Sequence, residues 1–140
     1  LNRPGRRFGG GFYDYPQDAK KHLWPGLREV FPSAVVQLPV GEAEKRMLYI
    51  QALEAARCME EGVVTTAAEA DLGSILGWGF PAWTGGTLSF IDTIGIREFV
   101  AECERMSKRY GKRFKPSKWL KARAERNEPF HGAGGDQKAA

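Results

Sequence analysis

Histidine and cysteine are scarce in this chain, with two of each among 140 residues. Cys58 and Cys103 lie 45 positions apart with no CxxC pair and no cysteine or histidine nearby, so no metal-ligand spacing is present. Both sit where a helix would also accept an apolar residue, and they read as small core side chains of a protein from a reducing, cytoplasmic compartment. His22 and His131 stand one in each flank, and neither has an expected fixed partner that would make it a general base. No apolar run approaches the roughly 20 residues that span a bilayer, and no charged-then-apolar leader opens the chain. GxGxxG and GxxxxGK[ST] are also missing, which removes the usual phosphate-cradling loops. The first residue is Leu1 rather than methionine, so the sequence is expected to be a piece of a longer chain.

The composition that remains, 42% hydrophobic and 27% charged, is that of an ordinary globular protein. Its net charge of +4 is unevenly spread. Residues 105–126 hold ten Lys or Arg against the single acid Glu125, a local sum of +9 that leaves the rest at −5. Such a stripe suits a phosphate-bearing ligand or an acidic partner, or is simply the solvated face of terminal helices. With no zinc-finger, RNP or helix-turn-helix pattern beside it, nucleic acid is not expected as a partner.

Apolar periodicity places most of the chain on helices. Residues 1–32 form an extended N-terminal segment, with Gly9–Gly11 turning into "FYDY" and "WPGLREVFP" adding a brief helix. "PSAVVQLPVG" is a linker. A long helix follows from about Glu42 to Glu61, with Leu48, Ala52, Ala55, Ala56 and Met59 inward and Met47, Ile50 and Leu53 widening the face. "TAAE", Thr66–Glu69, is a capping box opening a second helix. That helix should turn Ala68, Leu72, Ile75 and Leu76 inward. "TLSFIDTIG" gives a short helix, Ile96–Tyr110 a strongly amphipathic one, and "PSKWLKARAERN" the last. Residues 129–140 read as a frayed tail. The fold class is all-α, a bundle of about five helices. Residues 1–32 are the tail of a preceding unit and 33–128 the helical domain.

Between the second and third of these helices lies "GWGFPAWTGG", Gly77–Gly86, with three large aromatics and four glycines in ten residues. Pro81 holds Phe80 extended, and Trp78, Phe80 and Trp83 are expected to plug the gap between helices, so that Trp83→Ala destabilises the domain. Asp71 and Asp92 sit on helices beside this loop, where a buried carboxylate could cap a helix end or accept from an indole N–H. No nucleophile or base accompanies them, so no catalytic residue is assigned.

"GGGFYDY", "RMLYIQALEAARCMEEGVV", "AEADLGSILGWGFPAWTGGTLSFIDTIG" and "RYGKRFKPSKWL" together closely resemble one family. They are similar to the C-terminal end of the 3-hydroxyacyl-CoA dehydrogenase part of bacterial fatty-acid β-oxidation multifunctional enzymes, from about Gly9 to Ala124. The resemblance implies a helical repeat like the C-terminal domain of 6-phosphogluconate dehydrogenase, the second of two. It implies that the NAD-binding Rossmann domain and the catalytic histidine–glutamate pair precede this chain, which itself holds no cofactor. The family's first repeat opens its long helix with an Asn-Arg pair. Here Lys45-Arg46 stands in that place, keeping Arg46 but replacing the asparagine, so this repeat resembles a catalytically silent copy. Arg46, Asp71, Trp78, Phe80, Pro81, Trp83 and Asp92 are then candidates for structural or interface roles. The implied partners are the Rossmann domain, the first repeat, a second copy of the chain, and a thiolase subunit. The alternative reading is a basic module that binds CoA phosphates or that thiolase-like partner.

Overall fold

The computed structural model of the chain describes residues 1–132. They separate into two units, Leu1–Pro39 and a second that begins at Val40.

The first unit is held by polar contacts rather than by a core. Strands β1 (Tyr13–Asp14) and β2 (His22–Leu23) pair antiparallel, Tyr13 opposite Leu23, and a single-turn helix α1 (Leu27–Val30) follows. Arg3 ties the segment together: its Nε donates to the Gly11 carbonyl at 3.0 Å and its guanidinium pairs with Asp14. The same guanidinium stacks 4.5 Å above the Trp24 ring. His22 lies 3.6 Å from Asp14. The unit buries no apolar side chain, leaving Phe8, Phe12, Leu23 and Phe31 exposed.

The second unit is helical, with α2 (Val40–Glu60), α3 (Ala67–Trp78), α4 (Thr87–Ile94), α5 (Ile96–Tyr110) and α6 (Lys118–Glu125). Ala52, Leu53, Ala55 and Ala56 of α2 are buried, the alanines letting neighbouring helices approach closely, while Met47 at the edge of the expected face is exposed. α5 follows its amphipathic pattern, with Ile96, Phe99, Val100, Cys103 and Met106 all buried. An aromatic chain links the layers. Phe80 meets Phe90 edge-on at 6.1 Å, Phe90 meets Tyr49 at 5.6 Å, and Tyr49 stacks on Phe99 at 4.8 Å. Burial pushes the Cys103 thiol up to about 12, as suits a core side chain, whereas Cys58 is only half-buried.

Two expectations are corrected here. The inward face of α3 is not Ala68, Leu72, Ile75 and Leu76 but Ala67, Ala70, Asp71 and Ser74. Leu72 and Leu76 are 60% and 75% exposed. The reason is polar: Asp71 and Ser74 must face α4, whose first amides have no other partner. The tail from Pro129 also fails to fray at its start. Phe130 is buried against Trp119, ring centroids 6.1 Å apart, with the Arg123 guanidinium 4.7 Å over its ring. Asn127, at φ 52°, makes the left-handed turn that brings it back. The rest of the expected tail, 133–140, lies outside the described residues.

Phe130→Ala is therefore expected to lower the unfolding free energy by about 3–5 kcal/mol in urea denaturation, the range for emptying a buried phenylalanine site. An unchanged midpoint would restore the frayed tail.

Candidate functional site

The most concentrated polar constellation lies under the glycine-rich loop, and its origin is a missing cap. α4 begins after Gly86, which has no side chain to accept from the first amides. A larger residue cannot stand there: a Cβ on Gly86 would lie 2.4–2.6 Å from Asp71 atoms, and its φ is 117°. The cap comes instead from α3. Asp71 Oδ1 accepts from Leu88 N at 2.6 Å, and Oδ2 accepts from Ser89 N at 3.1 Å and Ser89 Oγ at 2.6 Å. Ser74 Oγ accepts from Thr87 N at 3.3 Å and donates to the Asp71 carbonyl at 2.8 Å. Thr84 Oγ1 accepts from Gly86 N at 3.1 Å. Asp71 is only 5% exposed, a burial that these donors and the positive helix end offset.

His131 closes the constellation. Its Nε2 lies 2.7 Å from Asp71 Oδ2 and 3.2 Å from Ser89 Oγ. Asp92, one helical turn on, accepts from Phe130 N at 2.9 Å and His131 N at 2.8 Å. The corrected reading of His131 is thus a side chain with fixed partners. Serine, histidine and aspartate meet here, but not as a nucleophile triad. In a triad one imidazole nitrogen faces the acid and the other takes the serine proton. Here a single nitrogen faces both, and the Ser89 hydroxyl gives its hydrogen directly to Asp71. A carboxylate oxygen only accepts, so Nε2 carries a hydrogen toward it and has no lone pair left for Ser89. The arrangement clamps α3, α4 and the returning chain.

The aromatic loop divides. Phe80 is buried, as expected, and Pro81 is half-buried where it starts a 3₁₀ turn, Ala82–Thr84, its carbonyl accepting from Thr84 Oγ1 at 2.7 Å. Trp78 and Trp83 are not plugs: they are 57% and 81% exposed. The inter-helix gap is already closed by Phe80, Phe90 and Tyr49, and Trp78, the last residue of α3, stays largely in solvent, after which Gly79 in a left-handed conformation turns the chain toward the buried Phe80. Its indole N–H donates to Gln51 Oε1 at 3.0 Å, so the indole partner is an amide rather than Asp71 or Asp92.

A second network joins α2 to α5. Arg105 reaches Glu42 at 2.9 Å and Glu102 at 2.7 Å, Lys45 reaches Glu102 at 3.1 Å, and Tyr110 donates to Glu42 at 2.7 Å. Hydrogen bonds from Arg105 and Lys45 hold the Glu102 carboxyl down at about 2. Arg46 stands beside this network, its guanidinium carbon 4.2 Å over the Tyr110 ring.

His131, Ser89 and Ser74 were missing from the sequence-level candidates. Ser74 follows Asp71 by three residues, one turn later on the same face as Ala67 and Ala70, and that small, polar stripe was the available signal.

Two outcomes follow for variants. Trp83→Ala should change stability by no more than about 0.5 kcal/mol, as at other exposed sites, while Phe80→Ala costs roughly 3–5 kcal/mol; equal losses in chemical denaturation would contradict this geometry. For Glu102 the folded value lies below the ordinary 4.5, so its stabilisation is complete above that pH and is lost as pH falls toward about 2. Melting temperature followed across that window should fall less steeply in Glu102→Gln than in the parent chain.

No protein-family model matches the chain. Curated relatives do. It is 40% identical over 138 residues to the fatty acid oxidation complex subunit alpha of Pseudomonas paraeruginosa, covering 94% of this chain and 19% of that protein. Identity to the subunit of the same name is 39% in Pseudomonas syringae pv. tomato and 34% over 131 residues in Vibrio cholerae serotype O1. The chain thus spans about a fifth of the length of the curated relatives it matches. Over 94% of its length, the chain is a homologue of a part of fatty acid oxidation complex α subunits.

Proposed function

We propose that this chain is a non-catalytic helical region of an NAD-dependent 3-hydroxyacyl-CoA dehydrogenase that acts in cytoplasmic fatty-acid β-oxidation. The dehydrogenase chemistry, the nicotinamide cofactor and the catalytic histidine–glutamate pair belong to preceding parts of the subunit. This region packs against those parts, a Rossmann domain and a first helical repeat, and shapes the acyl-CoA cleft from outside. Self-association of the chain and contact with a thiolase subunit are part of the same reading.

One observation carries it: α3 spends its small, polar face on Asp71 and Ser74 and leaves Leu72 and Leu76 stacked one turn apart in water. An apolar pair presented this way is what a surface to be covered looks like. The described residues offer no cradle that suits a dinucleotide. A pyrophosphate cradle needs a strand running into a glycine turn at a helix N-terminus. The nearest approach is β2 leading to Gly26 and the single turn α1. There the Trp24 ring fills the space, 2.4 Å from where a Gly26 Cβ would stand.

Isothermal calorimetry of NAD with the chain alone should give no binding tighter than about 1 mM, a free energy near 4 kcal/mol. In the whole subunit, the double change Leu72→Asp and Leu76→Asp should cut 3-hydroxyacyl-CoA oxidation through loss of assembly, while the same change leaves the melting of the isolated chain intact. Tight NAD binding by the chain, or full subunit activity with both aspartates, would overturn the proposal.

A further inference from the structure

A groove of about 270 Å³ lies between the start of α2 and the turn after α5, lined by Ala43, Arg46, Met47, Ile50, Arg113 and Phe114. Its walls are fixed in place. Arg57 of α2 donates to the backbone carbonyls of Lys115 at 3.0 Å and Arg113 at 3.4 Å, which ties the 3₁₀ turn Lys112–Phe114 to α2. The floor is apolar, with the side chain of Phe114 buried and those of Met47 and Ile50 open or half-open.

The rim is cationic on both sides. The Arg46 guanidinium lies 4.2 Å over the Tyr110 ring and that of Arg113 lies 5.3 Å over the Phe114 ring. Arginine stacked on an aromatic face loses little freedom on binding and keeps its N–H edge for a carboxylate. Neither guanidinium is ion-paired among the described residues, and Glu42 of α2 is already taken by Arg105 and Tyr110. Arg109, over the same tyrosine ring at 5.2 Å, adds a further positive charge.

We infer that this groove docks an acidic peptide segment, one or two aliphatic or aromatic side chains entering the Met47–Ile50–Phe114 floor while flanking carboxylates bridge Arg46 and Arg113. Charge complementarity selects the acidic partner. The apolar floor of Met47, Ile50 and Phe114 selects a peptide carrying hydrophobic side chains over a bare phosphate. The inference does not depend on the dehydrogenase assignment.

The test is fluorescence anisotropy of the full chain with a labelled nonapeptide carrying a Leu-Phe pair flanked by two glutamates on each side. Binding is expected in about 50 mM salt, weakening several-fold by about 300 mM as the exposed charges are screened. Arg46→Gln and Arg113→Gln should each weaken it about tenfold, with Lys118→Gln, a charge of the same basic stripe outside the groove, leaving it unchanged. Because Arg113 is exposed, its variant keeps the test valid even if Arg46→Gln unfolds the chain. A peptide with Ser-Ser for Leu-Phe should bind at least about tenfold more weakly. No binding at low salt, equal losses in Lys118→Gln, indifference to the apolar pair, or displacement by equimolar inorganic phosphate would each overturn the inference.

Discussion

A carboxylate at the mouth of a neighbouring helix sets the terms for the helical unit. Asp71 belongs to α3 but supplies the cap that α4 lacks, accepting from Leu88 and Ser89 amides and from the Ser89 hydroxyl. Burying a carboxylate is costly unless its oxygens are filled and a positive field faces it, and here both conditions hold. The arrangement explains the second of the two glycines that end the aromatic loop. Gly86 is where α4 must begin and where Asp71 must sit, and only a residue without a Cβ lets both happen. Asp92 repeats the device at the other end of α4, holding the backbone of Phe130 and His131 so that the returning chain seals the core.

That constraint propagates outward. Once Asp71 and Ser74 face α4, the hundred-degree step of the helix turns Leu72 and Leu76 to solvent. The bundle thereby acquires an apolar outer surface as a by-product of how its interior is capped. The first unit, with no buried apolar side chain of its own, makes a similar demand for covering. Both features agree with a chain that corresponds to about a fifth of its homologues' length.

The sequence made the regular parts of this structure legible. α5 has one apolar stripe against a charged remainder, and periodicity alone found its buried residues. The Thr66–Glu69 capping box lies within four residues and forms as read, Glu69 N to Thr66 Oγ1 at 3.2 Å. What depended on distant partners was not legible. In α3 the hydrophobic stripe points the wrong way, because an aspartate seventeen residues before Leu88 has to be buried, and apolar periodicity has no term for such a requirement. Trp78 and Trp83 were large enough to be core, yet the smaller Phe80, Phe90 and Tyr49 had already filled it. Phe130 and His131 looked like tail residues because the turn at Asn127 that returns them leaves little trace in composition. Of the candidate site, Asp71, Asp92 and Arg46 could be picked out, but not the side chains they hold.

The central claim is that Asp71 caps α4 from outside and thereby locks α3, α4 and the returning chain. Amide hydrogen exchange on Asp71→Asn, read residue by residue, tests it most directly. Asparagine keeps the size but turns one acceptor into a donor that faces the Ser89 and His131 groups. The account predicts a stability loss of about 1–3 kcal/mol, the cost of an unpaired buried polar group. It also predicts that exchange at Leu88, Ser89 and Phe130 accelerates beyond that at Leu53 in the α2 core. Exchange at those three amides that matches Leu53, with stability unchanged, would contradict it.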